Sequence, residues 1–427
     1  MASETKFKKT EIGMIPEDWK ILTLENAMES IIDYRGKTPK KTDSGIPLIT
    51  AKIVKNGRIL EPNEFISPQD YESWMRRGLP KPGDVVITTE APMGEVAQLD
   101  ERKVALAQRL ITLRGKKGML HNNFLRFVLQ SPNVENELKK RESGTTVTGI
   151  KQKELRKALL PIPPYDEQIK LSEILISLDN KIDLNHQMNS TLEQIAQTLF
   201  KHWFIDFEFP DENGNPYKSS GGRMVDSELG EIPEGWEVKA FSEVIDVNPI
   251  RRLSKGKIAT KVSMADLNTW QSWINSWQEE EYKSGPKFKN GDTLFARITP
   301  SLENGKTAFV NFLNEGEIAF GSTEFIVFGS KVIESGPYIF CLSRSEYIRE
   351  TAINAMTGTS GRQRVPNDCF DHLLICVPSG EVVKRFDDII TPLFEKIKNN
   401  AKECINLREA RDSLLPKLMS GKIRVQV

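Results

Sequence analysis

LSEILISLDNKIDLNHQMNSTLEQIAQTL, residues 171–199, repeats an apolar side chain every seven positions and contains neither proline nor glycine. One column of the repeat includes Leu175 and Ile182, and the other is formed by five residues: Leu171, Leu178, Asn185, Leu192 and Leu199. A strict seven-residue apolar repeat predicts a helix that winds around a partner helix in a left-handed coiled coil.

A partner helix is predicted in the same chain, about 215 residues further on. There, Ile390 and Ile397 lie beside a second column with the same spacing: Phe386, Leu393, Asn400, Leu407 and Leu414. Each column has one asparagine at its centre, and a buried asparagine specifies register at a cost in stability. The matched asparagines favour pairing over the alternative, in which each helix packs only on its own domain.

We predict that the two helices run antiparallel, so that Asn185 and Asn400 approach each other. At about 1.5 Å per residue, a helix of about 35 to 40 residues spans roughly 50 to 60 Å. The two domains would then lie at opposite ends of a rod.

The remainder of the chain also occurs twice, which indicates a tandem duplication. The matching segments are IGMIPEDW (12–19) with LGEIPEGW (229–236), PGDVVIT (82–88) with NGDTLFA (290–296), GTTVTG (144–149) with GTSGRQ (358–363), and ALLPIPP (158–164) with LLICVPS (373–379). Each copy begins with short apolar runs broken by Gly, Pro, Asn and Asp, a pattern typical of strands and turns. The predicted fold class is therefore α+β: a β-rich mixed domain followed by a long helix, repeated once.

Five segments follow from this repeat. We expect the stretch between the copies to order only weakly, because it is rich in Gly, Ser and Asp. The predicted boundaries are a first β-rich domain at 1–163, a central helical segment at 164–209, a linker at 210–231, a second β-rich domain at 232–378 and a C-terminal helical segment at 379–427.

Composition indicates an ordinary globular chain of 427 residues with a formal net charge of zero. The sequence has no apolar run long enough to span a membrane and no apolar signal segment at its start. The four cysteines form no CxxC pair and the four histidines show no metal-ligand spacing. These patterns predict a cytoplasmic protein with reduced thiols and no metal site of its own.

The tripeptide Pro163-Pro164-Tyr165 is found at the end of the catalytic loop of adenine methyltransferases. That loop needs an Asn or Asp before the prolines to accept a hydrogen bond from the target amine, and Ile162 stands there. The prolines instead predict the end of a strand and the start of a helix. Together with the absence of a marked triad or P-loop, this predicts a chain without catalytic residues.

Positive charge is clustered, although the whole chain is neutral. Residues 35–58 contain seven Lys or Arg and one acidic residue, and residues 251–261 contain five and none. Both clusters begin about 15 residues after a shared Trp, so phosphate contact is the predicted role, with solvated lysine-rich loops as the alternative. The candidates are Arg35, Lys37, Lys40, Lys41 and Lys52 in the first copy and Arg251, Arg252, Lys255 and Lys257 in the second.

Other polar residues are candidates for DNA contact. The Gly-Thr-Thr and Gly-Thr-Ser segments can offer hydroxyls to phosphate, or can be turns before the last strand. Arg and Gln side chains recognise guanine and adenine in the major groove. The candidates in the first copy are Gln108, Arg109, Thr145 and Thr146, and those in the second are Arg297, Thr323, Thr359, Arg362, Gln363 and Arg364. Trp270, Trp273 and Trp277 have helical spacing, which is typical of a core stripe and less often of a partner surface.

The repeated IPEDW/IPEGW openings, LFKHWFIDFEFP (199–210) and SLLPKLMSGKIRV (413–425) make the whole chain resemble the specificity subunits of type I restriction-modification systems. The resemblance implies two target recognition domains, each recognising half of a split, asymmetric site in double-stranded DNA. It implies helices that set the spacing between the half-sites and bind two modification subunits, with restriction subunits joining through the complex.

The resemblance also implies which chemistry belongs to other chains. S-adenosylmethionine, ATP and Mg are expected on partner subunits, and methylation and cleavage are expected of the assembled complex, not of this chain. A protein scaffold with incidental basic loops and a stand-alone DNA methyltransferase are the alternative functions.

Overall fold

The structure is a computed structural model that describes residues 5–34, 36, 38–144, 148–359 and 361–425. By contacts, the chain divides into two compact units. Unit 1 comprises residues 1–180 and 408–427, and unit 2 comprises residues 181–407. Both divisions fall inside long helices, so each of those helices contributes residues to both units.

Unit 1 contains the first β-rich domain. Its strands are β1 Phe7–Thr10, β2 Gly13–Pro16, β3 Lys20–Thr23, β4 Met28–Asp33, β5 Ile46–Ile49, β6 Val54–Lys55, β7 Arg58–Ile59, β8 Phe65–Ile66, β9 Val85–Thr89, β10 Met93–Gln98, β11 Ala105–Leu106, β12 Leu110–Gly115 and β13 Leu159–Ile162. Its helices are α1 Leu24–Ala27, α2 Pro68–Trp74, α3 Asn122–Leu129, α4 Pro132–Lys139, α5 Gln152–Leu155 and the beginning of α6 Tyr165–Phe204. A 3-10 turn covers Ala51–Ile53.

Unit 2 contains the second β-rich domain. Its strands are β14 Met224–Ser227, β15 Gly230–Pro233, β16 Glu237–Ala240, β17 Ile245–Val247, β18 Ile258–Val262, β19 Gln278–Glu281, β20 Lys287–Phe288, β21 Thr293–Ala296, β22 Thr307–Phe309, β23 Ala319–Gly321, β24 Phe325–Ser330 and β25 Leu374–Val377. Its helices are α7 Phe241–Val244, α8 Gly336–Arg344, α9 Glu346–Asn354 and most of α10 Gly380–Met419. Two 3-10 turns cover Met264–Asp266 and Asn367–Phe370.

Sheet topology confirms the tandem repeat. The first domain has an antiparallel sheet in the order β4-β12-β9-β10, and the second has the matching order β17-β24-β21-β22. In both domains, the last strand before the long helix pairs antiparallel with the strand that follows the shared Trp: β13 with β3, and β25 with β16. The central strands β9 and β21 are wholly buried, which explains why their sequences lack polar alternation.

The two long helices each have 40 residues and pack in antiparallel fashion, as predicted. In unit 1, Arg411 near the end of α10 donates to Asp179 in α6 at 3.0 Å. In unit 2, the ring centres of Phe200 near the end of α6 and Phe386 near the start of α10 are 6.1 Å apart. The prolines before Tyr165 end β13 and precede the helix, which is the structural role expected of them.

Of the two predicted heptad columns of α6, the one that includes Leu175 and Ile182 is the more buried. Leu178, Leu192 and Leu199 are only half-buried, whereas the column that continues from Leu175 and Ile182 is buried throughout. That column consists of Leu175, Ile182, Asn189, Ala196 and Trp203. In α10, Leu393, Leu407 and Leu414 are likewise half-buried.

The reason for this difference is that α6 packs against more than one element. Phe200 lies edge-on to Tyr338 of α8 at 5.3 Å, in addition to its contact with α10. Glu193 is buried and accepts hydrogen bonds from Arg344 of α8 and from the backbone N–H of Ser272. The buried face of α6 is therefore turned away from Leu178, Leu192 and Leu199.

The prediction that Asn185 approaches Asn400 is wrong, because the hydrogen-bond partner of Asn400 lies one helical turn further along α6. Asn400 Nδ2 donates to Asn189 Oδ1 at 2.8 Å, and Asn189 Nδ2 donates to the carbonyl of Ile397 at 3.2 Å. Asn185 instead donates to Glu403 at 2.7 Å. The central polar contact is thus an asparagine pair, but Asn189 and Asn400 do not occupy equivalent positions in the two copies of the repeat.

The segment 210–231 packs against the second domain and forms a strand, although weak order was expected for it. The Tyr217 ring stacks on Phe209 with ring centres 4.6 Å apart, and Phe209 stacks on the shared Trp236 at 5.1 Å. Strand β14 pairs with β15 along its length. Aromatic packing on Trp236 supplies the apolar burial that the segment's average composition does not suggest.

The tryptophan stripe is not helical. Residues 267–277 form turns and irregular backbone, with Trp273 buried but Trp270 and Trp277 exposed by 55% and 38%. The helical spacing of the three tryptophans therefore does not correspond to a helix in the structure. Within the described part of the chain, none of the helices combines the length and the apolar character that crossing a membrane requires.

Candidate nucleic-acid interface

A cleft of ≈ 510 Å³ opens on the first domain, beside the start of β12. It brings together four segments that are separated in the sequence. The lining residues are Gly36, Thr89, Glu90, Gln108, Arg109, Ser143, Gly144, Gly149, Ile150 and Lys151. Two predicted candidates, Gln108 and Arg109, therefore lie in one cleft with the beginning of the Gly-Thr-Thr loop. Four others, Arg35, Lys37, Thr145 and Thr146, lie outside the described residues.

Arg109 occupies the turn between β11 and β12 and has a positive φ of 73°. Its carbonyl accepts a hydrogen bond from the backbone N–H of Thr89 at 2.9 Å, which holds this unusual conformation in place. The guanidinium Nε lies 3.1 Å from Glu90 Oε1, and the Arg109 side chain is 57% exposed. The turn thus presents an arginine to solvent beside a carboxylate.

Gln108 is held next to this pair. Its Nε2 donates to Thr38 Oγ1 at 2.8 Å, so the amide is oriented by a residue of the basic segment 35–58. Backbone hydrogen bonds join Ser143 and Gly149 in both directions, at 2.8 and 3.0 Å. These bonds place Ser143 and Gly149 side by side at the same cleft, and Gly149 also bridges to Glu90.

The second domain has the same arrangement of loops. Thr357 and Arg364 exchange backbone hydrogen bonds at 3.0 and 2.9 Å, and Arg364 also bridges to Ile298, as Gly149 does to Glu90. The Arg364 guanidinium donates to both oxygens of Glu324, at 2.7 and 2.9 Å. This hydrogen bonding holds the pKa of Glu324 below its usual value, so the carboxylate stays ionised.

One position of the loop cluster carries opposite charge in the two domains, and the partner of that charge comes from a different position in each. Glu324 precedes β24 in the same turn in which Arg109 precedes β12, and Arg364 occupies the place of Gly149. Each domain therefore carries an arginine–carboxylate pair at these loops, but only the positions of Arg109 and Glu324 correspond. Sequence reasoning missed Glu90 and Glu324 as parts of the site; the reversal of charge between the aligned Arg109 and Glu324 was the signal that could have found Glu324.

The remaining candidates of the second domain differ in their surroundings. Thr323, Thr359 and Arg362 are exposed, and Gln363 is half-buried with its carbonyl accepting from the Thr299 N–H at 3.0 Å. Arg297 is occupied by internal contacts: Nη1 donates to Asn367 Oδ1 at 2.6 Å, and Nη2 donates to the Val365 carbonyl. Burial lowers the pKa of Arg297, which is consistent with a bracing role beneath the loop.

Among the basic candidates, the side chains of Lys40, Lys52, Arg252, Lys255 and Lys257 are exposed. Lys41 is also exposed but pairs with Glu64 at 2.7 Å.

Arg251 differs from its neighbours because its guanidinium is largely buried. It donates to both oxygens of Asp292, at 2.5 and 2.6 Å, and its side chain is only 12% exposed. Burial raises the pKa of Asp292 to about 6, against the opposing effects of the Lys289 N–H and of Arg251. Arg251 braces the turn before β21 and is not placed to contact a phosphate.

Comparison with known proteins links this architecture to one group. A family model described as a type I restriction modification DNA specificity domain matches residues 16–194. The specificity subunit of the type I restriction enzyme MjaIX of Methanocaldococcus jannaschii is 27% identical over 439 residues, covering 99% of this chain and 98% of that protein. The specificity subunit of EcoKI from Escherichia coli K12 is 22% identical, covering 97% of this chain and 91% of that protein.

A solved structure shares the fold. The crystal structure of a type I restriction-modification S subunit from M. genitalium matches with a TM-score of 0.54 and 15% identity, covering 94% of this chain and 96% of that chain. At this level of identity the match concerns the fold alone: two β-rich domains, each followed by a long helix.

Proposed function

Since this chain belongs to the specificity subunits of type I restriction-modification systems, we propose that it selects the DNA sequence on which such a complex acts. Each β-rich domain is a target recognition domain that recognises one half of a bipartite, asymmetric site in double-stranded DNA. The observation that carries the proposal is the pair of equivalent loop clusters at the starts of β12 and β24. They share a framework and differ in polar side chains, as two domains that recognise different sequences should.

The basic loops supply the contacts that do not depend on sequence. Exposed lysines and arginines neutralise phosphates and position a protein on the duplex, whereas base edges are recognised by side chains in the grooves. Lys52 in the first domain and Arg252, Lys255 and Lys257 in the second are free to serve this role because their side chains are exposed.

The long helices have two roles in this proposal. They set the length of the unrecognised spacer between the half-sites, and they provide the surface to which two modification subunits bind. Leu184 and Ile195 of α6 are 52% and 48% exposed, which leaves apolar area on the helix outside its contacts in this chain. Restriction subunits would join through the assembled complex.

Chemistry is assigned to the partner subunits. Ile162 stands where an adenine methyltransferase needs an amide or carboxylate acceptor, so the tripeptide Pro163-Pro164-Tyr165 is not preceded by an acceptor for the target amine. S-adenosylmethionine, ATP and Mg would be bound by the partners, and methylation and ATP-dependent cleavage would be activities of the complex.

Methylome sequencing of the host, with this gene intact and with it deleted, tests the proposal. One bipartite, asymmetric motif should carry methyladenine in the first strain and lose it in the second, and restoring the gene should restore it. Loss of no motif, or of an unsplit motif, would contradict the proposal.

A protein scaffold with incidental basic loops is the competing function. Phosphate contacts release counterions, so the affinity of the chain for duplex DNA should fall steeply with salt. Replacing Lys255 and Lys257 by Ala should make that salt dependence shallower, by about one unit of log–log slope for each phosphate that is no longer neutralised. An affinity that is flat between 50 and 200 mM salt, concentrations at which phosphate binding changes strongly, would favour the scaffold.

A further inference from the structure

Each domain carries an arginine–carboxylate pair at its loop cluster, and the geometry points to a G·C base pair as the ligand of each. We infer that Arg109 with Glu90, and Arg364 with Glu324, determine one G·C position in each half-site. The inference rests on the proposed function and deepens it, since it names the side chains and the base pair.

The chemistry of the pair matches the major-groove edge of G·C. Guanine presents two acceptors, N7 and O6, and cytosine presents the N4 amino donor beside them. A guanidinium offers parallel N–H donors to guanine, and a carboxylate accepts from cytosine N4. A neighbouring arginine and carboxylate can therefore satisfy a single G·C pair, whereas an A·T pair would leave donors and acceptors mismatched.

In the first domain, backbone hydrogen bonding fixes the positions of Arg109 and Glu90. The Arg109 backbone adopts φ +73°, and its carbonyl is bound to the Thr89 N–H at 2.9 Å, one residue before Glu90. The two side chains are 57% and 44% exposed, at a cleft of ≈ 510 Å³ that also contains Gln108. Strain of this kind at an exposed arginine is typical of functional positions.

In the second domain, the same two groups occur at other positions of the equivalent loops. Arg364 makes a bidentate contact to Glu324, and the two side chains are 48% and 23% exposed. The arginine comes from the loop closed by Thr357 and the carboxylate from the turn before β24. The same donor–acceptor pair is thus produced from different positions in the two copies.

The test uses the intact system in its host. Arg109→Ala and Arg364→Ala strains are compared with wild type by methylome sequencing, with Arg102→Ala and Arg223→Ala as matched controls. Both control arginines are exposed and ion-paired, with Asp100 and with Glu234, but lie outside these loops. Each test variant should relax discrimination at one G·C position by about 5- to 150-fold, in one half-site only, and the controls should leave the motif unchanged.

A second substitution guards against variants that only damage the fold. Gln recognises adenine bidentately, so Arg109→Gln and Arg364→Gln should shift the preferred pair from G·C towards A·T at the same position. If variants fail to methylate in the cell, selection from randomised duplexes by the purified complex is measured instead. Loss spread evenly over all positions overturns the inference.

The outcomes separate this inference from the proposed function. A wild-type half-site without any G·C pair, or a motif unchanged by both arginine substitutions, overturns the inference while leaving the chain as the specificity subunit. Absence of any motif that depends on this gene would instead overturn the proposed function.

Discussion

Arg251 and Lys257 lie six positions apart in one basic cluster, yet the structure gives them opposite surroundings. Arg251 is enclosed by Asp292, 41 residues away, whereas Lys257 is exposed. Burying a guanidinium requires a partner that satisfies its charge, and that partner comes from a distant turn. At the scale of single residues, charge type is readable from the sequence, but the availability of the charge is not.

The asparagine pair between the helices makes a testable case. Asn400→Ala should lower the free energy of unfolding by about 1–3 kcal/mol, because Asn189 Oδ1 loses its donor in a buried position. Replacing Asn189 and Asn400 together by Leu should recover most of that loss, since no polar group is then left unpaired. Urea denaturation of wild type and the two variants measures both effects, and a double variant less stable than Asn400→Ala would contradict the explanation.

Arg424 predicts a dependence of stability on pH. It donates to Asp18 at 2.7 Å and to the buried Glu167 at 2.9 Å, and its hydrogen bonds lower the pKa of Asp18 below the ordinary 3.8. A lowered carboxyl pKa contributes stability above its unfolded value, and that stability is lost as pH falls through the folded pKa. Arg424→Ala should therefore be less stable than wild type by about 1–3 kcal/mol at neutral pH.

The same pair of proteins, compared by urea denaturation at pH 7 and again near pH 3, provides the check. The difference in stability between wild type and Arg424→Ala should narrow at the lower pH, because pH 3 lies below the ordinary carboxyl pKa of 3.8, where the stability contributed by the lowered pKa of Asp18 begins to be lost. A gap of constant size would mean that Arg424 acts through packing on Trp19, whose ring centre is 5.9 Å away.

At the scale of elements, the helix pair is defined by two different kinds of contact. The backbone carbonyl of Ile182 in α6 accepts from Cys404 Sγ in α10 at 3.8 Å. The backbone carbonyl of Ile397 in α10 accepts from Asn189 Nδ2 in α6 at 3.2 Å. Cys404 is the repeat equivalent of Asn189, so the contact occurs twice with approximate two-fold symmetry. Such reciprocal contacts specify the register of an antiparallel pair more tightly than apolar side chains alone.

Lengthening both helices by one heptad tests their role as a spacer. Seven residues inserted after His186 in α6 and seven after Ala401 in α10 preserve the repeat and add roughly 10 Å. At about 3.4 Å per base pair, the unrecognised spacer of the methylated motif should grow by about three base pairs. Methylome sequencing measures the length of the spacer in the methylated motif directly.

A register-breaking control accompanies that experiment. Four residues inserted into α6 alone shift the buried column without a matching change in α10, and should abolish methylation instead of changing the spacing. A spacer that keeps its length after the paired heptad insertion would show that the helices do not set it.

At the scale of the whole molecule, the duplication predicts that specificity is modular. Exchanging residues 236–378 for the corresponding segment of another specificity subunit should change one half of the methylated motif and leave the other half intact. This follows because each loop cluster is built within a single copy, from residues of that copy alone. Simultaneous change of both half-sites would contradict modular recognition.

Repeat, helix length and antiparallel pairing were accessible from local patterns, because heptad spacing and paired motifs depend on residues close together in the chain. Which of the two predicted heptad columns is buried along its whole length was not accessible, because α8 and Ser272 also pack against the surface of α6. The arginine–carboxylate pairs were likewise hidden, since Glu324 and Arg364 are 40 residues apart and meet only through backbone bridges between loops. Periodicity specifies the elements, but the face that each element buries and the partner that each charge receives are consequences of long-range packing.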